Sequence, residues 1–170
     1  MGVSGVGKSE IGKRLASRLE VPYVEGDDYH TPENVIKMAH GVPLNDIDRR
    51  EWLQSLRTCI STARERGQSM VLTCSALKRR YRDILREADP HLMFIHLIGE
   101  HDLIASRMRN RPGHFMPPGM LESQFRDLEP PRPDENAISL DTRKTPEQII
   151  SEIIRNSPDK IGANWDDELS

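Results

Sequence analysis

The sequence predicts an α/β domain of three layers, with helices on both faces of a parallel sheet, and three observations carry that expectation. A glycine-rich motif, Gly2-Val3-Ser4-Gly5-Val6-Gly7-Lys8-Ser9, opens the chain. Four short apolar segments rich in β-branched residues follow it at intervals. Between them apolar residues recur every three or four positions, so that helical and extended patterns alternate. The 170 residues fit one domain, expected over 1–156, with a polar tail over 157–170.

The first helix follows the motif directly, its buried stripe marked by Ile11, Leu15 and Leu19. Val21 to Glu25 reads as the first strand. Trp52, Leu56, Ile60 and Ala63 mark a helix that Gly67 stops, and Met70 to Cys74 is the second strand. Tyr81, Ile84, Leu85 and Ala88 form another helical face before the strand at Met93 to Ile98. After Ala137 to Asp141, the Thr145-Pro146 pair starts a last helix bearing Ile149, Ile150, Ile153 and Ile154. Arg111 to Pro118 and Glu129 to Pro133 carry the Pro and Gly of surface loops.

Composition removes several classes of function. Hydrophobic residues make up 36% and charged residues 30%, and 24 Lys plus Arg against 27 Asp plus Glu leave a net charge of −3. That balance argues against a general polyanion binder. The longest apolar runs are far short of the roughly 20 residues that cross a bilayer. Neither a secretory signal nor a myristoylation signal is read at the N-terminus, so a cytoplasmic chain is expected, with Cys59 and Cys74 as buried free thiols.

The opening motif satisfies G-x-x-x-x-G-K-[ST], the P-loop of P-loop NTPases. Its glycines let successive backbone N–H groups face one concavity, and the helix that follows aims its positive end there. Phosphate oxygens fill such a cradle, which spans Gly2, Val3, Ser4, Gly5, Val6, Gly7, Lys8 and Ser9. Lys8 is expected to reach the β and γ phosphates of ATP, and the Ser9 hydroxyl to take one position on Mg²⁺. A P-loop ordinarily joins a buried strand to its helix, yet only Met1 precedes Gly2. The expectation is therefore a missing strand, through a misplaced start or a truncation, and a gap between the strands at 70–74 and 93–98. A GTP switch would need a guanine-reading Asn-Lys-x-Asp segment, and none is present.

Glu25-Gly26-Asp27-Asp28-Tyr29-His30 lies at the carboxyl end of a strand, where open α/β sheets bind ligands. Further motifs are Pro43-Leu44-Asn45-Asp46-Ile47-Asp48-Arg49-Arg50-Glu51-Trp52-Leu53, Cys74-Ser75-Ala76-Leu77-Lys78-Arg79-Arg80-Tyr81-Arg82-Asp83 and Gly113-His114-Phe115-Met116. Together with the P-loop, these resemble the gluconokinase family from Gly2 to about Ile154, in the family's order. The resemblance implies a fold similar to shikimate and nucleoside monophosphate kinases. It also implies phosphorylation of D-gluconate by ATP and Mg²⁺ to 6-phospho-D-gluconate, feeding the pentose phosphate pathway. Members often pair into homodimers, although nothing in these residues marks an interface.

Carried onto this chain, the resemblance assigns Lys8, Asp27 and Arg111 to catalysis and Arg107 to the adenine side. It assigns Asp27, His30, Asn45, Arg49, Lys78, Arg82 and His114 to the acceptor. A six-carbon polyol with one carboxylate asks for such a mix of cations and short polar groups. Residues 111–118 resemble the family's lid, and Gln124 and Phe125 are read as the start of the next helix, near the acceptor. Glu25 stands where many members have Asp, so its longer arm changes the reach toward an outer-sphere Mg²⁺. Val6 replaces a commoner Ser, with little consequence where backbone groups hold the phosphate. The alternatives are a non-catalytic nucleotide-binding remnant lacking its first strand and another small-molecule kinase, such as a shikimate kinase.

Overall fold

The computed structural model describes residues 1–110 and 118–157. Arg111, His114 and the tail beyond 157 lie outside the described residues. Gly7 carries φ 99°, a left-handed turn that glycine adopts without strain, and α1 (Lys8–Arg18) starts on it. β1 (Tyr23–Glu25) runs into a 3-10 turn over Gly26–Tyr29. The next helix, α2 (Pro32–Ala39), is one the sequence reading did not anticipate; the Thr31 side chain accepts from the Asn34 N–H to cap it. There follow α3 (Arg49–Glu65), β2 (Val71–Thr73), α4 (Arg79–Arg86), β3 (Phe94–Ile98) and α5 (His101–Arg109). The chain closes with α6 (Pro118–Asp127), β4 (Ala137–Asp141) and α7 (Pro146–Arg155), the last held by a reciprocal cap between Thr145 and Gln148. α6 starts six residues before Gln124, earlier than the sequence reading has it.

The strands pair in parallel, β1 with β2 and β3 with β4. Successive side chains of a strand point to opposite faces, and β3 shows what covers each. Phe94 packs with Trp52, Leu56 and Leu85 of α3 and α4. Leu97, on the other face, packs with Leu15, Ile104 and Ile153 of α1, α5 and α7. Helices therefore cover both faces, as the alternating pattern predicts.

Among the described residues β2 and β3 do not pair, and the expected gap is present. Met1 and Gly2 bridge part of it. The Met1 ammonium donates to Ile95 O, the Leu97 N–H donates to Met1 O at 3.0 Å, and the Gly2 N–H donates to Ser75 O at 3.2 Å. A cavity of about 990 Å³, lined in part by Leu72, Cys74, Met93 and Ile95, opens alongside. Cys59 and Cys74 are free thiols, the second buried and the first half-buried. No helix among the described residues is long and apolar enough to cross a membrane.

His96 of β3 is buried, with its Nδ1 3.1 Å from Ser139 Oγ and its Nε2 unpartnered. Burial pushes its pKa down to about 4, and the positive charges of Met1 and Arg82 push the same way. The unfolded chain takes up the proton near the ordinary value of 6.5, whereas the folded chain resists it until about pH 4. The stability linked to His96 is thus complete above pH 6.5 and is lost as pH falls toward 4, by up to about 3 kcal/mol. His96→Asn should flatten the melting temperature over that window, and an unchanged slope in the variant would assign the acid sensitivity elsewhere.

Candidate active site

The P-loop is tied down at several points. Lys8 Nζ donates back to Val3 O at 3.0 Å. Burial draws the Lys8 ammonium below its ordinary pKa, while the charges of Asp27, Cys74 and Glu25 work to raise it. The Ser4 N–H donates to Gln124 Oε1 at 2.6 Å, and Gln124 Nε2 donates to Ser4 Oγ at 3.0 Å. Gln124 thus meets the loop, a contact across 120 residues that no local pattern announces.

Ser9 Oγ donates to Glu25 Oε2 at 2.6 Å. The same carboxylate accepts from the Tyr23 hydroxyl at 2.6 Å and from Thr73 Oγ1 at 2.8 Å. Burial works to raise the Glu25 carboxyl pKa, but these hydrogen bonds outweigh it and hold the group below its usual value, ionised. No cluster of three or more His, Cys, Asp or Glu capable of caging a metal occurs among the described residues. A divalent cation here would share its positions between phosphates, water and one hydroxyl, which suits Mg²⁺. Ser9 fits that use, because its proton is committed to Glu25 and its lone pairs are left over.

A second set of side chains gathers at the carboxyl end of β1. The Trp52 indole N–H donates to Gly26 O at 2.7 Å, and its ring stacks on His30 with centroids 4.7 Å apart and planes 12° apart. The His30 side chain is 3% exposed, with Nε2 3.9 Å from Asp27 Oδ1 and Nδ1 buried without a partner. Burial lowers the His30 pKa, Asp27 works against that and Arg49 works with it, so the ring is neutral at pH 7. The Arg49 guanidinium lies 5.9 Å from both the Trp52 and Tyr81 ring centroids and reaches Ser75 Oγ at 3.5 Å. Its Nε is buried and unpartnered, and among the described residues it pairs with no carboxylate. Asp27 is exposed and lies within range of both His30 and Lys8.

Other expected acceptor residues are differently employed. Arg82 is a correction: it is fully buried, and its Nε and Nη2 donate to Glu135 at 2.6 and 2.9 Å. Its Nη1 donates to Ala76 O and Leu77 O at 3.2 and 3.0 Å, so it is a structural cation with no face toward a substrate. Lys78 sits between Asp46, at 3.1 Å, and Asp127, at 3.4 Å, which offset its charge. The Asn45 carbonyl oxygen Oδ1 accepts from the Ile47 and Asp48 N–H groups at 2.9 and 3.0 Å. It shapes the turn that starts α3 and presents Arg49. Arg107 Nη2 donates to Thr142 O at 2.7 Å, at the carboxyl end of β4. The sequence reading did not single out Tyr23, Thr73, Ser75 or the Trp52 ring. Tyr23 and Glu25, two apart on one strand, share a face, and that spacing was the available signal.

A P-loop beside an uncompensated guanidinium and an exposed carboxylate is the layout of a small-molecule kinase. A family model described as shikimate kinase matches residues 4–157. A probable gluconokinase of Rattus norvegicus is 44% identical over 172 residues, covering 91% of this chain and 93% of its own. The chain belongs to the gluconokinase family. In crystal structures, a gluconokinase of Sinorhizobium meliloti 1021 aligns at TM-score 0.84 and 41% identity, over 92% of this chain and 87% of its own. An unliganded sugar kinase of Janibacter sp. HTCC2649 aligns at TM-score 0.87 and 46% identity, over 91% and 90%. Gluconokinase kinship makes the chain a phosphotransferase.

Proposed function

We infer that this chain transfers the γ-phosphoryl group of ATP to D-gluconate, giving 6-phospho-D-gluconate and ADP, with Mg²⁺ accompanying the nucleotide. The observation that carries the acceptor is Arg49, a guanidinium held by two rings and paired with no carboxylate among the described residues. A cation fixed in that way is completed by an anion, and its planar fork suits a carboxylate. Asp27 serves as base or orienter for the terminal hydroxyl, with neutral His30 beside it to hydrogen-bond the polyol. Lys8 and the loop N–H groups hold the β and γ phosphates, Ser9 meets the cation, and Arg107 lies on the adenine side. Bound Mg²⁺ would neutralise charge on the phosphate oxygens.

Coupled assays of ADP release with gluconate, shikimate and glycerate, run on the wild type and on Arg49→Lys, test the reading together. Gluconate should be the best acceptor. The lysine variant keeps the charge but loses the fork, so the gluconate KM should rise roughly ten- to a hundredfold, matching about 1.5 to 3 kcal/mol for a charge-assisted hydrogen bond. The ATP KM should change little. Preference for shikimate would overturn the acceptor, and equal shifts in both KM values would move Arg49 into the scaffold.

A further inference from the structure

We propose that Tyr23 and Thr73 are positioning residues for Ser9, acting through Glu25. They fix the carboxylate so that it takes the Ser9 proton and leaves the hydroxyl's lone pairs for a divalent cation bound with the nucleotide. The proposal rests on the reading of Ser9 as the cation's hydroxyl.

A serine hydroxyl has one proton and two lone pairs, and it rotates to suit its neighbours. Left free beside a triphosphate, it can point its proton at a phosphate oxygen and waste the lone pairs. A fixed carboxylate on the far side removes that choice. Glu25 is such an acceptor, but its side chain has one more rotatable bond than an aspartate, and that freedom must be taken away. The three hydroxyls do so. Oε2 accepts from Ser9 and Tyr23 and Oε1 accepts from Thr73, so both oxygens of the carboxylate are held.

The backbone builds this cage from four places. Tyr23 and Glu25 share a face of β1, and Thr73 is the register partner of Glu25 on β2. Ser9 and Gly12 are three apart on α1, hence on one side of it. A Cβ at Gly12 would stand 2.4 Å from Thr73 Cγ2 and 2.8 Å from Tyr23 Cε2. The missing side chain therefore lets the helix that carries Ser9 settle onto the clamps. A cage serving only as glue between β1, β2 and α1 would have no need to spend the Ser9 proton on the same oxygen as Tyr23.

The test is Mn²⁺ binding to the full chain with saturating ADP, followed by electron paramagnetic resonance and needing no acceptor or turnover. Tyr23→Phe and Thr73→Val each delete one hydroxyl and keep the shape. Each should weaken Mn²⁺ about tenfold, in the range found when groups behind a metal ligand are removed. ADP affinity in EDTA should change less than twofold. Combining Tyr23→Phe with Glu25→Gln should cost no more than Glu25→Gln alone, since the tyrosine acts through the carboxylate. Lower melting temperatures with unchanged Mn²⁺ affinity in both variants would reduce the cage to glue and overturn the proposal. Wild-type protein that binds ADP yet takes up no Mn²⁺ would overturn the reading of Ser9 along with it.

Discussion

Lys8→Met should lower the rate of phosphoryl transfer about 10²- to 10³-fold while the protein stays folded and the gluconate KM is little changed. In the structure the ammonium donates to Val3 O, lying across the loop it is meant to serve. Phosphates would draw it away from that carbonyl. Charge grows on the transferring group and the β–γ bridge during reaction, and an ammonium in a shielded loop stabilises that charge by about 3 to 4 kcal/mol. Methionine has nearly the same length and no charge, so it fills the space without supplying the field. The folded state loses one hydrogen bond to a carbonyl, about 1 kcal/mol, or about 2–4 °C in a domain of this size. ADP release and thermal melting measured on the same preparation separate the two effects. Activity within tenfold of wild type would remove Lys8 from the chemistry.

What the sequence reveals and what it hides divide along the range of the interactions involved. The P-loop and α1 are legible because glycine geometry, the lysine and the helix stripe all act within a dozen residues. The cap of α7 is legible from Thr145-Pro146, and Thr31-Pro32 is the same signal at the head of α2. There the cap signal stands without a second one, since Val35 and Ile36 are 49% and 58% exposed and α2 buries no apolar stripe. The place where β2 and β3 fail to pair among the described residues was legible from the P-loop, which ordinarily follows a strand of its own. Side-chain roles are less legible. Lys78, Arg79, Arg80 and Arg82 look alike in sequence, yet Lys78 and Arg80 turn to Asp46 and Arg79 to Asp134. Arg82 meets Glu135, 53 residues on, and Gln124 meets Ser4 across most of the chain. Arg49 came into the expected acceptor set through the family resemblance, and the turn at Asn45 and the ring at Trp52 that place it lie within a few residues of it.

Arg82→Ala should cost about 3 to 5 kcal/mol of stability and leave the chemistry of the surviving folded protein largely intact. Arg82 and Glu135 are both fully buried, and the arginine's hydrogen bonds hold the Glu135 carboxyl at a pKa of about 2, against burial that works to raise it. Taking away the guanidinium leaves the buried carboxylate with only Arg86 Nη1 at 3.3 Å and the Arg132 N–H at 3.0 Å, and frees the carbonyls of Ala76 and Leu77. Breaking one side of a buried pair is the costly change, whereas replacing both partners by apolar groups is often neutral. Arg82→Met combined with Glu135→Leu should therefore recover most of the loss. The melting temperature of the alanine variant should fall by roughly 6–20 °C at pH 7. Its deficit should narrow on acidification, because burial then works to raise the Glu135 pKa against only Arg86 and the Arg132 N–H, and protonation removes the undercompensated charge. In the wild type the sign is opposite: the contribution of Glu135 is complete above its ordinary pKa of 4.5 and is lost as pH falls through about 2. If Arg82→Ala melted within 2 °C of wild type and instead raised the gluconate KM more than tenfold, the arginine would return to the acceptor site and the buried pair would be misassigned.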